Sequence, residues 1–205
     1  MKFFAKTLAA GIFTMGIAHA AAIDDFKAFL TGTQSARADF TQIVYDVNGK
    51  MTQQAKGTMV FVRPGKFRWT YVKPAQLIVG DGVKVSFFDK DLNQVTIRKL
   101  EKAFASTPAA LLAGKREVEA AFTLVAGGAN DSDGIGWVNA EPKSKDAGIE
   151  KMRLGFVKKQ LAAMELFDAF GNRTRLDFSK FERNPKIDAK EFAFVPPKGA
   201  DVVSE

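Results

Sequence analysis

Residues 63–71, Arg-Pro-Gly-Lys-Phe-Arg-Trp-Thr-Tyr, are the stretch whose residue types and spacing could act together. Arg63 puts a guanidinium fork at the end of one strand-like run, and Phe67, Trp69 and Tyr71 follow on a single face of the next. A guanidinium carries five N–H donors in fixed geometry; at a strand end it is either solvated or hydrogen-bonded to the carbonyls of a covering helix. Apolar rings on one strand face hold apolar matter by contact, with few directional bonds. Neither is covalent chemistry, and the residues for that are scarce. The chain has no Cys, and its single His is His19. The paired carboxylates do not replace them. Asp24 and Asp25 read as first-turn helix acids, and Asp131-Ser132-Asp133-Gly134 reads as a polar loop without the remaining spacing of a calcium site.

His19 lies in a segment with the pattern of an export leader. Met1 to Lys6 is a short basic stretch without acids, Thr7 to Ala18 is apolar, and Ala18-His19-Ala20 supplies the small-x-small cleavage pattern. The apolar run is shorter than the ~20 residues needed to cross a bilayer. Cleavage is expected after Ala20, with Ala22 as the alternative, leaving one domain over 21–205. The mature chain then has neither Cys nor His. A Cys nucleophile, a Ser-His-Asp triad and the common His/Cys zinc sites are excluded, so the expectation is no enzyme, no metal and no cofactor. Without Cys there is also no lipid-anchoring lipobox, and the leader points to the periplasm.

The basic balance, 30 Lys+Arg against 23 Asp+Glu, falls to 28 against 23 when Lys2 and Lys6 leave with the leader. Nucleic-acid binders gather their cations on one face or helix. Here Arg68, Lys84, Arg98, Arg153 and Arg175 are spread through strand-like segments and alternate with apolar residues, the pattern of a solvated sheet face. No nucleic-acid partner is expected.

The elements that position these residues follow from periodicity. Ile23, Phe26, Phe29 and Leu30 have helical spacing. Period two then takes over in 36–45, 58–63, 67–72, 76–80, 83–88 and 94–98, with Asp81-Gly82 as a hairpin turn. Thr107-Pro108, with Gly114 beyond, brackets a short apolar helix containing Leu111 and Leu112. Strand patterns resume at 122–125, 135–140, 151–157, 161–167 and 174–181, and 188–192 reads as one helical turn. About ten to eleven strands at hairpin spacing, without βαβ rhythm, predict a mainly β (α+β) single domain: a large antiparallel sheet curling towards a barrel, with short helices over one mouth or face. The 16 Phe left after the leader, beside two Tyr and two Trp, fit either a packed core or an apolar cavity.

The segment Arg63-Pro64-x-x-Phe67-x-Trp69 resembles the signature of the periplasmic outer-membrane lipoprotein carrier protein (LolA) family. Phe40-Thr41-Gln42, Val79-Gly80-Asp81-Gly82, Asp91-Leu92-Asn93-Gln94-Val95, Thr107-Pro108 and Phe192-x-Phe194-x-Pro196-Pro197-x-Gly199 stand in the matching order through nearly the whole mature chain. The resemblance implies an incomplete antiparallel β-barrel with a helical lid over an apolar cavity. That cavity would take the acyl chains of lipoproteins released by an inner-membrane ABC exporter, for delivery to an outer-membrane receptor. It implies Arg63 as the lid-tying switch. Phe40, Phe67 and Trp69 would be cavity residues, with Tyr71 on the same strand face and Leu111 and Leu112 on the lid helix. A monomeric carrier is expected; a lipid- or lipoprotein-sensing module of the same fold is the alternative. The C-terminus ends soon after Gly199, which leaves open any role tied to a longer tail.

Overall fold

The computed structural model describes residues 17–103, 107–114, 120–127, 134–144 and 148–205. Helix α1 spans Ile17–Gly32 and leads into β1 (Ser35–Tyr45), β2 (Met51–Val62), β3 (Lys66–Tyr71), β4 (Gln76–Asp81), β5 (Lys84–Asp89) and β6 (Gln94–Lys99). Two short helices follow, α2 (Leu100–Ala103) and α3 (Pro108–Ala113). The second half of the chain supplies β7 (Phe122–Ala126), β8 (Gly136–Pro142), β9 (Ile149–Val157), β10 (Gln160–Asp168) and β11 (Arg173–Arg183). A 3-10 turn, Ala189–Phe192, precedes β12 (Asp201–Ser204).

All twelve strands form one sheet in the order β12-β6-β5-β4-β3-β2-β1-β11-β10-β9-β8-β7, with β12 and β7 as its open edges. The sheet is not closed into a barrel. Successive strands joined by short turns pair antiparallel within β1–β6 and within β7–β11, and the two runs meet where β11 pairs with β1. The strand beyond the expected eleven is β12. It lacks a sharp hydrophobic alternation and runs parallel to β6, Val202 opposite Val95, held at its end by Arg98 Nε donating to Glu205 Oε2 at 2.7 Å.

Alternation assigns the two faces. Ala36, Ala38, Phe40, Met59, Phe61, Phe67, Trp69 and Val85 point to the inner face and join Met152, Leu154, Phe156, Leu161 and Met164 in one core cluster. The concave side is filled by α1 and α3, whose Phe26, Phe29, Leu30, Leu111 and Leu112 belong to the same cluster. On the outer face of β4–β6 a smaller cluster of Leu77, Val79, Phe88 and Val95 is covered by Phe194 and Ala200 of the C-terminal segment.

Two local expectations change. Helix α1 begins at Ile17 rather than near Ile23, so Asp24 and Asp25 lie inside it and not in its first turn; they would occupy that turn in a chain beginning at Ala21. Thr107 stands at the N-cap of α3, but its Oγ1 donates backwards to Ala103 O at 2.8 Å and makes no cap to the helix. Of the expected polar loop, Asp131, Ser132 and Asp133 lie outside the described residues, as do residues 1–16 of the expected leader.

Candidate functional site

The turn between β2 and β3 is where the two lid elements meet. Gly65 adopts φ +71°, a conformation that favours glycine, which lets Arg63-Pro64-Gly65-Lys66 reverse tightly beneath α3. The turn satisfies three successive carbonyls at the C-terminal end of α3. Arg63 Nη2 donates to Leu112 O at 2.8 Å, the Gly65 N–H to Ala113 O at 2.9 Å, and Arg63 Nε to Gly114 O at 2.8 Å. Helix ends leave such carbonyls without intrahelical partners, so the fork does the work of a C-cap.

The other side of the fork reaches α1. Arg63 Nη1 donates to Phe29 O and Leu30 O, both at 3.2 Å, and to Thr33 O. One side chain therefore holds the C-terminal ends of both helices, where the helix dipoles present partial negative charge. Arg63 is 7% exposed, and its guanidinium lies 4.9 Å from the Phe29 ring centroid and 5.0 Å from that of Phe61. Burial, and secondarily the charge of Arg183, pushes its pKa down to about 10, which still leaves a full cation at neutral pH. Arg183 and Asn184 complete the end of α1: Arg183 Nη2 donates to Ala28 O at 3.1 Å and Asn184 Nδ2 to Gly32 O at 2.9 Å. The sequence reading passed over this pair, although Asn184-Pro185 at the close of a strand pattern is a turn signal.

Beneath the helices an aromatic strip runs across β1 and β3. Phe40 and Trp69 have ring centroids 4.7 Å apart, Phe40 and Tyr71 5.1 Å, and Trp69 and Phe178 6.2 Å. Phe40, Phe67 and Trp69 are buried, and Tyr71 packs half-buried at the lower end. Glycines make room for the rings. Gly57 is paired with Tyr71 across to β3 and with Phe40 across to β1, and Gly80 stands opposite Phe67. A Cβ on Gly57 would press on the Phe40 ring, and one on Gly80 on the Phe67 ring. Neither glycine was assigned to the site from sequence: Gly80 closes the 76–80 pattern and Gly57 stands just before 58–63, and a glycine within a strand marks close approach.

At the lower end the strip turns polar. The Tyr71 hydroxyl donates to Gln42 Oε1 at 2.9 Å, and burial pushes the phenol up to about 12, opposed weakly by the nearby Trp69 indole. Trp69 Nε1 is buried without a hydrogen-bond partner. The described residues contain no group of His, Cys, Asp and Glu arranged to hold a metal ion, and no helix long and apolar enough to cross a membrane.

These features define a class: an open antiparallel half-barrel whose apolar inner face is closed by helices tied down through one buried arginine. The chain belongs to the family of the outer membrane lipoprotein carrier protein LolA, whose model matches residues 31–195. It is 49% identical to the outer-membrane lipoprotein carrier protein of Dechloromonas aromatica, over 100% of this chain and 99% of that one. Its identity to the protein of the same name from Methylobacillus flagellatus is 45%, over the full length of both. A conserved protein of Thermus thermophilus whose function is uncharacterised has the same fold, with a TM-score of 0.55 at 15% identity, over 91% of this chain and 98% of that one.

Proposed function

We propose that this chain is a periplasmic carrier that takes the acyl chains of lipoproteins leaving the inner membrane and delivers the cargo to the outer membrane. The observation that carries this reading is the Arg63 tie: five hydrogen bonds from one side chain to the carbonyls of both helices over the aromatic strip. Lifting α1 and α3 would uncover Phe40, Phe67, Trp69 and Tyr71 on the sheet and Leu111 and Leu112 on the helix, and those apolar surfaces form the acyl site.

Burying acyl chain is worth ~0.8 kcal/mol per methylene, so lipid anchors leave a membrane slowly unless a comparable apolar surface receives them. Release needs a competing state. Closure of the helices back onto the sheet supplies it, since Arg63 recovers its carbonyl partners when the ligand departs. The partners in this reading are acylated lipoproteins, an inner-membrane ABC exporter and an outer-membrane receptor. The leader ends at Ala20 and the working domain is 21–205.

The test uses the purified chain from Ala21 with an environment-sensitive apolar dye. An acylated lipoprotein should displace the dye, and the loaded protein should pass its cargo to acceptor membranes carrying the receptor. Failure of displacement by a folded protein would sink the acyl-binding reading; binding without any transfer would replace the carrier by a sensor.

A further inference from the structure

Strand β2 is paired unevenly. On one side all of it, Met51 to Val62, faces β1; on the other, β3 covers only Gly57 to Val62. Below that point the chain leaves as Val72, whose N–H still donates to Lys56 O at 2.9 Å, and turns through Lys73-Pro74 into β4. That bond sets the alternation: the main-chain groups of Lys56 point towards β3, and those of Gln54, two residues away, point to the same side. No strand is paired there among the described residues. Met51 to Gln54 are exposed.

The missing corner is a broad, open depression that deepens towards the inner face of the sheet. A cavity of about 580 Å³ borders Gln54, Ala55, Lys56, Lys73, Pro74 and Asp91. A second of about 200 Å³ shares Gln54, Ala55 and Pro74 with it and opens towards Gln42, Tyr71 and Gln76. Register pairs Thr41 with Lys56 and Gln42 with Ala55, so the first cavity reaches the outer face of the sheet and the second the inner one.

We propose that the Thr52–Ala55 edge of β2 is a strand-addition groove for the extended polypeptide that directly follows the acylated residue of the cargo; this rests on the carrier reading above. The edge offers what such a segment needs, main-chain donors and acceptors in strand spacing. Lys56 O is already taken by Val72 and the pairing with β1 shifts between Gln53 and Met51, so the free track runs over about four residues, Thr52 to Ala55, or ~13 Å. The smaller cavity, on the inner side, is walled mainly by the amides of Gln42, Gln53, Gln54 and Gln76 and the Tyr71 phenol, which suits a polar chain, while Ala55 and Pro74 give the larger one an apolar floor. Continuity names the occupant. Tyr71 belongs both to the aromatic strip and to the depression, and Trp69 is the next inward residue of the strip, 4.7 Å from Phe40 between ring centroids. A lipid-bearing residue seated against Trp69 sends its following chain past Tyr71 onto this edge. Recognition through main-chain groups also suits a carrier whose cargoes differ in sequence.

The experiment compares displacement of the apolar dye by three synthetic probes: a triacylated cysteine alone, the same with a ten-residue Ser/Gly/Asn linker, and the same linker with alternate amides N-methylated. The unmodified linker should tighten binding at least tenfold, about 1.4 kcal/mol, and N-methylation should reduce that advantage to under twofold. Gln54→Pro removes the outward N–H without touching the β1 side and should abolish the advantage too, whereas Gln54→Ala keeps the N–H and should keep it. Equal displacement by all three probes would leave acyl binding standing and overturn the groove. Loss in Gln54→Ala as well would mean side-chain recognition and overturn strand addition. A concentration-dependent dimer of the free chain, abolished by Gln54→Pro, would assign the edge to a second copy instead. If no probe displaces the dye, the acyl reading fails and takes the groove with it.

Discussion

Arg63 and Gly114 are joined by a 2.8 Å hydrogen bond from the guanidinium Nε to the carbonyl that ends α3, across 51 residues of sequence. The same guanidinium serves three carbonyls at the end of α1, so the two helices are coupled through one side chain and not through a hydrophobic contact alone. This is a tie with a defined way to break. If the helices rise, the carbonyls and the cation can all turn to water, and the apolar faces they uncover are the surface offered to the ligand.

Arg63→Leu should therefore loosen the helices more than the sheet. Leucine restores apolar volume but none of the five bonds, each worth ~0.5–1.5 kcal/mol net and more from a charged donor. Because the freed carbonyls can reach water when α1 and α3 lift, the loss of global stability should be about 2–4 kcal/mol rather than the full sum. Hydrogen exchange at the amides of α3 should accelerate by at least tenfold, with β1 and β2 little changed. Arg63→Lys should fall between, since a single ammonium cannot reach both helix ends in fixed geometry. Equal acceleration across the sheet would show Arg63 to be an ordinary core residue.

Tyr71 gives a pH signature at the lower end of the strip. Its phenol ionises at about 12 in the folded protein, against about 10 when exposed, because burial disfavours the phenolate. The folded state thus binds the proton more tightly than the unfolded state does. The stabilisation is complete below about pH 10 and is lost as pH rises towards 12. Ultraviolet titration should show one phenol appearing only near pH 12, and Tyr71→Phe should remove that step and flatten the pH dependence of stability in this window. A wild-type titration with no step near pH 12 that Tyr71→Phe removes would show Tyr71 to be open to solvent.

The strands and the short helix were legible because each is a local pattern: alternation in 67–71, Asp81-Gly82 between two apolar runs, Thr107-Pro108 before Ala109. Arg63 was legible as a fork at a strand end, since a guanidinium there has few uses. What it binds was less so. Its partners at 29, 30, 33, 112 and 114 are main-chain carbonyls, which carry no residue signature, and they come together only when two helices from distant segments converge. Gly57 and Gly80 were missed for the same reason, because the space they leave is defined by a ring on a neighbouring strand. The start of α1 was misplaced because apolar residues from Ile17 onward continue a helix without changing its pattern. β12 escaped notice as four residues whose pairing is parallel and long-range.

The outer face of the second half holds a further arrangement that alternation alone described as solvated. Glu165 is almost fully buried there, with Arg153 Nη1 at 3.0 Å, Arg173 Nη1 at 3.3 Å and Arg175 Nη1 at 3.7 Å. Arg153 stacks 4.4 Å over the Trp137 ring and Arg173 4.5 Å over Tyr45, so the guanidinium planes are fixed on aromatic rings while their charges converge on one carboxylate. Asp177 takes part of the charge of Arg175 at 2.9 Å. Removing the central anion takes one shared partner from three partly exposed cations, of which Arg175 keeps Asp177, and should cost about 1–3 kcal/mol. Glu165→Ala should lower the urea midpoint accordingly, with an unchanged slope, and the loss should shrink in high salt as the cations are screened. Glu165→Gln keeps the volume and two polar atoms and should cost less. A midpoint within experimental error of the parent for Glu165→Ala would show that the arginines find equivalent partners without it.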